Sequence, residues 1–154
     1  MLDWTEFATA SRELADAAVR LMERNDVAFL ATVSAKGRPR LHPFVPRVVE
    51  GRMVAFIVDR SPKYRDLAAS RPYAIHLMPG DEDEQFFFSG VAETADDDAA
   101  FRGRAADAMG FFTDIAPSEK LFEFRLDRAL WTRWLDFGGK DHRPEHKRWR
   151  AAAG

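Results

Sequence analysis

The chain has no cysteine. That excludes a disulfide framework, a thiolate metal centre and a cysteine nucleophile. It also fits a reducing compartment, so a cytoplasmic location is expected. No apolar run approaches the roughly 20 residues a membrane helix needs, and no membrane partner is expected. The opening segment, MLDWTEFATASRELAD, places acid before base and has no apolar stretch, unlike a secretory signal. Neither sign of charge is in excess: the formal net charge is −2, which argues against a nucleic-acid partner. Patterns of the HExxH, Walker, nucleophile-elbow and Gly-rich phosphate-loop types are absent, and no metal site is expected. There is no internal repeat, low-complexity stretch or linker.

Aromatic side chains are plentiful. Thirteen Phe, four Trp and two Tyr bring the aromatic content to 12%. That is more than a small barrel easily encloses, which points to an apolar interface between copies. With 46% hydrophobic and 31% charged residues over 154 positions, the chain reads as one globular domain, 1–154.

Periodicity orders the elements. Phe7, Leu14, Ala17, Ala18, Leu21 and Met22 recur at helical spacing within a helix expected over about 5–24. Strands are expected at 27–34, 39–49, 53–58, 73–78, 85–93 and 121–134, the last as one strand or a bent pair. Pro43 and Pro46 make the second irregular or an edge. Ser61 and Pro62 open a short helix over 62–69. A second helix is expected from Asp96 to Met109, with Asp96, Asp97 and Asp98 at its positive end and Gly110 past its other end. Residues 111–117 are expected as a loop. Six strands joined mostly by short turns imply a mainly β (α+β) fold. The expected form is an antiparallel barrel over about 26–135 with flanking helices and a polar tail over about 136–154.

Three stretches could carry chemistry. In FIVDRSPKYRDL (56–67), Ser61 caps a helix whose first turn holds Lys63, with Arg60 just outside. Basic charge there opposes the helix dipole by about 0.3–1 kcal/mol per charge unless an anion sits nearby. An ordinary capped helix with solvated cations is the alternative. In GRPRLHPFVP (37–46), Arg38, Arg40 and His42 alternate onto one strand face. They either complete a phosphate site or face solvent. In DHRPEHKRW (141–149), His142 and His146 are four apart. A helix would align them as ligands for zinc or haem; otherwise they lie in a solvated tail or a lid that supplies cations to a ligand.

FLATVSAKGRPRLHPFVP, MVAFIVDRSPKYRDLAASRPYAIHL and QFFFSGVAE, in this order and spacing, resemble the pyridoxamine 5′-phosphate oxidase-like family of flavin-binding split barrels. The resemblance covers roughly residues 5–135. It implies a six-stranded antiparallel split barrel that works as a homodimer with FMN at the subunit interface. It implies that Arg40 binds the FMN phosphate and that Leu41, His42 and Pro43 pass the ring. It also implies that Phe56 and Ile57 lie beside the flavin, and that Ser61, Pro62 and Lys63 grip the phosphate. Gln85, from the partner subunit, and Trp134 would contact the flavin. Pro62 stands where the family has an arginine, a loss that Arg60 or Arg38 could make good. Arg143, His146 and Arg148 resemble a substrate-side arginine–histidine cluster. Two departures argue against pyridoxamine phosphate as substrate. Val45 or Pro46 replaces a lysine that holds substrate phosphate, and AFRGRAADAM lacks the family's tyrosine.

The expected function is therefore that of an FMN-dependent oxidoreductase with a small-molecule substrate or a nicotinamide reductant. No residue is marked as a general acid or base, although His42 or a tail histidine could donate a proton. The alternatives are a haem-binding or haem-degrading protein, a non-catalytic flavin-binding module and a deazaflavin-dependent reductase.

Overall fold

The computed structural model describes residues 1–69, 71–95, 98–110 and 115–152. The expectations for Asp96, Asp97 and the 111–114 part of the loop lie outside the described residues.

Two N-terminal helices replace the single helix expected. They are α1 (Trp4–Ala10) and α2 (Arg12–Arg24), and the break is at Ser11, with φ −151° and ψ 72°. Each helix has its own attachment. Leu2 exchanges backbone hydrogen bonds with Leu126, and Thr5 N–H donates to Gly51 O at 3.2 Å, which ties α1 down. α2 buries Leu14, Ala15, Ala17, Ala18, Leu21 and Met22, the apolar stripe read from the sequence.

Among the described residues the sheet is antiparallel and has eight strands where six were expected. The strands are β1 (Ala28–Val33), β2 (Pro39–Phe44), β3 (Arg47–Val49), β4 (Arg52–Val58), β5 (Pro72–Leu77), β6 (Gln85–Thr94), β7 (Glu119–Leu135) and β8 (Arg143–Arg150). Their order is β2-β1-β5-β6-β7-β4-β3, with β8 added on β7. The two ends of this path, β2 and β3, are neighbours in sequence. The expected single strand over 39–49 divides at Val45-Pro46, where the chain leaves β1 and joins β4. Pro46 has no N–H to donate, so the ladder is interrupted where the chain itself must close the barrel. This is the split barrel the resemblance implies.

The eighth strand comes from the segment expected as a tail. Its alternation is visible only in burial: Glu145, Lys147 and Trp149 are half-buried, while Pro144, His146 and Arg148 are exposed. Trp149 is its one apolar anchor and meets the Phe7 ring edge-on at 4.9 Å.

β7 is the spine. Its first part pairs with β4, its last part pairs with β8, and β6 runs alongside it. A bulge opposite Ser89/Gly90 bends it. Inside the barrel, Phe7, Phe86, Phe88, Phe122 and Phe124 are fully buried, with Trp4, Phe44 and Tyr73 around them. The barrel thus encloses more of the aromatic content than the sequence reading allowed. Two further α-helices lie among the described residues. α3 (Pro62–Ala68) touches β1, β4 and β6, and α4 (Ala99–Ala108) covers a second cluster of Val49, Val54, Phe101 and Leu121. Gly110 follows α4 at φ +71°, as its position past the helix end requires. No helix among the described residues is long and apolar enough to cross a membrane.

Candidate functional site

The strand period sorts the residues of β2. Arg40, His42 and Phe44 share the face that ends in the core, while Leu41 and Pro43 point outward and are exposed. α3 lies against that inner face. Ser61 caps it by accepting from Tyr64 N–H at 3.2 Å, and Pro62 occupies its first turn. Lys63 and Asp66, three apart, project from the same side of the helix. Residues from β1, β2 and α3 therefore meet at one end of the barrel.

The centre of this cluster is a carboxylate the sequence reading did not single out. Asp66 is 3% exposed and accepts from Thr32 Oγ1 at 2.8 Å. Arg40 Nη1 lies 3.2 Å from Asp66 Oδ2 and 3.5 Å from Pro62 O. Thr32 Oγ1 also lies 3.4 Å from His42 Nε2. Because the Thr32 proton goes to Asp66, the hydroxyl oxygen accepts from His42, so neutral His42 carries its proton on Nε2 and leaves Nδ1 as an acceptor. Thr32 faces Arg40 in the strand register, and Asp66 shares a helix side with Lys63.

Arg40 pairs with this carboxylate, and a second cation, Lys63, stands near His42. The Lys63 ammonium reaches Pro43 O at 3.0 Å and has no carboxylate partner among the described residues. Burial lowers its pKa. His42 is also lowered, first by burial and then by the Lys63 ammonium, against the opposite pull of Asp66. A half-buried positive charge without a counter-ion would be neutralised by an anion such as a phosphate.

The other expected residues divide among separate places. Ile57 is fully buried in the core. Phe56, on the opposite face of β4, packs with the α4 cluster and lies under the Arg102 guanidinium at 5.0 Å. Arg38 and Arg60 are exposed at the rim. Gln85 opens β6, opposite Thr132, and donates to Asp83 Oδ2 at 3.0 Å. Trp134 lies across from Pro144, and its buried indole N–H has no hydrogen-bond partner among the described residues. β2 and β6 are three strand spacings apart, roughly 14 Å across the sheet. Within one chain, then, Gln85 and Trp134 do not join Arg40 and Lys63.

The histidines of the last segment are not on a helix. His142 precedes β8; its ring meets Trp134 edge-on at 4.6 Å, and its Nδ1 accepts from Gly138 N–H at 3.1 Å. His146 lies on β8 with Nδ1 2.9 Å from Thr132 Oγ1. Four residues of strand put them about 13 Å apart along the chain, so the helical pairing expected for haem ligation does not form. Arg143 donates to Asp141 O at 3.2 Å, and Arg148 faces Leu130. No group of three or more His, Asp or Glu among the described residues could hold a metal ion.

Comparison with known proteins places this architecture. The family model described as pyridoxamine 5′-phosphate oxidase matches residues 14–130. No curated protein sequence matches the chain. Three solved structures illustrate the fold. A heme binding protein from Mycobacterium smegmatis has a TM-score of 0.61 at 23% identity over 85% of this chain, which spans 57% of that protein's length. HutZ, the heme storage protein from Vibrio cholerae, has a TM-score of 0.60 at 17% identity, covering 74% of this chain and 90% of its own. PhzG from Burkholderia lata 383, solved with tetrahydrophenazine-1-carboxylic acid, has a TM-score of 0.65 at 16% identity, covering 96% of this chain and 87% of its own.

Proposed function

The chain belongs to the pyridoxamine 5′-phosphate oxidase family, and from that premise we propose that it binds FMN as a homodimer and acts as a flavin-dependent oxidoreductase. The observation that carries the reading is the half-buried Lys63 ammonium, without a carboxylate partner among the described residues, beside Arg40 and His42. These residues fit a phosphate. Arg40 is held in place by Asp66 and Pro62 O through Nη1, leaving its other guanidinium donors for an anion. The orphaned Trp134 N–H fits a polar ring atom at the other end of the same ligand. The two halves meet only if two chains share the site, which is the reason for proposing a dimer.

FMN supplies the hydride chemistry when bound. Arg40 and Lys63 bind and orient the phosphate. His42, neutral near pH 7, can accept a proton at Nδ1. The substrate is a small molecule other than pyridoxamine 5′-phosphate. Val45 and Pro46 offer no cation for its phosphate. On α4, Arg104 is paired with Glu50 and Arg102 donates to Ala116 O.

The test is a parallel FMN and haem titration of the purified protein, read by absorbance, with a nicotinamide donor added afterwards. One FMN per chain is expected, bleached by the donor. In Lys63→Ala the affinity should fall at least tenfold, about 1.4 kcal/mol. Uptake of haem with a Soret band and no uptake of FMN would overturn the reading in favour of a haem protein. FMN uptake without turnover by any reductant would leave a non-catalytic flavin-binding module.

A further inference from the structure

The outer face of the sheet carries a second cationic cluster, far from Arg40 and Lys63. Strand register builds it from two rows. One row runs Ser89, Arg128, Arg150 across β6, β7 and β8; the next runs Phe87, Leu130, Arg148. Arg128 and Arg150 are therefore directly opposed, with Arg148 two residues away on the same face. Like charges directly across a ladder destabilise it.

Several arginines elsewhere are matched with acids, among them Arg20 with Glu84, Arg52 with Glu123, Arg104 with Glu50 and Arg133 with Glu145. Among the described residues, no ion pair or hydrogen bond engages the side chain of Arg128, Arg148 or Arg150. The carboxylate beside them, Asp127, accepts from Ser89 Oγ at 2.6 Å instead. The three arginines rim a cavity of about 410 Å³, with half-buried Phe87 and Leu130 among its walls.

This pairing of an apolar floor with an uncompensated cationic rim is selective. A simple anion would leave Phe87 and Leu130 wet, and a neutral hydrocarbon would leave three guanidinium groups unmatched. Guanidinium planes also stack on rings and take carboxylate or sulfonate groups two-pronged. A volume near 400 Å³ is at the small-ligand end of pocket sizes. We propose that this cavity binds an aromatic anion, its ring on Phe87 and Leu130 and its acidic group between Arg128 and Arg150. The site is independent of the flavin reading: it lies on the opposite sheet face from Arg40, four strand spacings along the sheet at β7.

The probe is 1-anilinonaphthalene-8-sulfonate, with N-phenyl-1-naphthylamine as its uncharged counterpart, titrated by fluorescence into the full chain with and without FMN. Wild type and the double variant Arg128→Gln/Arg150→Gln are compared. The expected result is one sulfonate dye per chain, held at least tenfold more weakly by the double variant. The neutral dye should bind both proteins alike, and FMN at the concentration that fills its own site should leave the sulfonate dye in place. The double variant, freed of an opposed like-charge pair, should melt no lower than wild type, so lost binding is not lost folding. Equal sulfonate affinity in the two proteins would overturn the proposal. So would displacement of the dye by FMN at that concentration. A dimer that falls apart in the double variant while dye binding is unchanged would assign the arginines to a subunit contact instead, and would also overturn it.

Discussion

Asp66 holds its cluster together because it is the acceptor for two donors that cannot easily find others. Thr32 is 1% exposed, and its hydroxyl would lose its 2.8 Å acceptor if Asp66 were truncated. Leaving a buried donor unsatisfied costs about 1–3 kcal/mol. Asp66→Ala is therefore expected to lower stability in urea unfolding by about that amount, and Asp66→Asn, which keeps an acceptor oxygen, by less. A second expectation concerns His42, whose pKa is lowered by burial first and by Lys63 second. In the unfolded chain the ordinary value is about 6.5. As the pH falls below that value, the unfolded chain takes up the proton before the folded one, so folding stability declines with falling pH. Thermal midpoints measured from pH 7.5 down to 5 should fall more steeply for wild type than for His42→Gln. Parallel slopes would mean His42 does not couple to folding. The cations of this site were legible in the sequence because alternation on β2 and the Ser61 cap fix where Arg40, His42 and Lys63 point. Asp66 was not, because an acid in a short helix looks solvated until the opposing strand is in place.

The elements were legible wherever local chemistry decides them. The Ser61-Pro62 start of α3 and Gly110 after α4 follow from caps, and β4, β5 and β6 from apolar, β-rich runs. The division of β2 from β3 and the break at Ser11 were not, since both are set by which partner a segment must reach. β8 was hidden because its sequence is polar and only pairing with β7 makes it a strand. Glycines separate the two kinds of constraint. A Cβ at Gly90 would lie 1.8 Å from Arg125 O, at the bulge where β6 and β7 approach. Backbone cannot yield cheaply there, so Gly90→Ala is expected to cost about 3 kcal/mol or to prevent folding. Gly103 sits inside α4, exposed, with open space around its missing Cβ. Gly103→Ala should instead stabilise by about 0.5–1 kcal/mol. Urea unfolding of the two variants checks both signs.

At the scale of the whole molecule, the outer sheet face links fold to function. Cross-strand register places Pro43, Phe29 and His76 in one row and Leu41, Ala31 and Ala74 in the next. Leu41 is 66% exposed and Phe29 38%, an apolar surface that a lone barrel leaves in water. The same surface begins beside the Arg40–Lys63 cluster, since Leu41 and Pro43 alternate with Arg40 and His42. A second copy seated there would bring a foreign Gln85 and Trp134 towards the phosphate cluster, as the shared-site proposal requires. Dimerisation and FMN binding are then one linked equilibrium, and each must strengthen the other by the same factor. Phe29→Glu tests the linkage, because Phe29 lies on the outer face and is not a proposed flavin contact. The charge costs little on a free surface but much when desolvated between subunits. Sedimentation velocity should show wild type as a dimer that FMN tightens, and Phe29→Glu as a folded monomer with FMN affinity at least tenfold weaker. Lys63→Ala should lose FMN while its cofactor-free dimer stays as tight as wild type's. A Phe29→Glu monomer that binds FMN as tightly as wild type would mean one chain completes the site alone, and the orphaned Trp134 N–H would then need another partner.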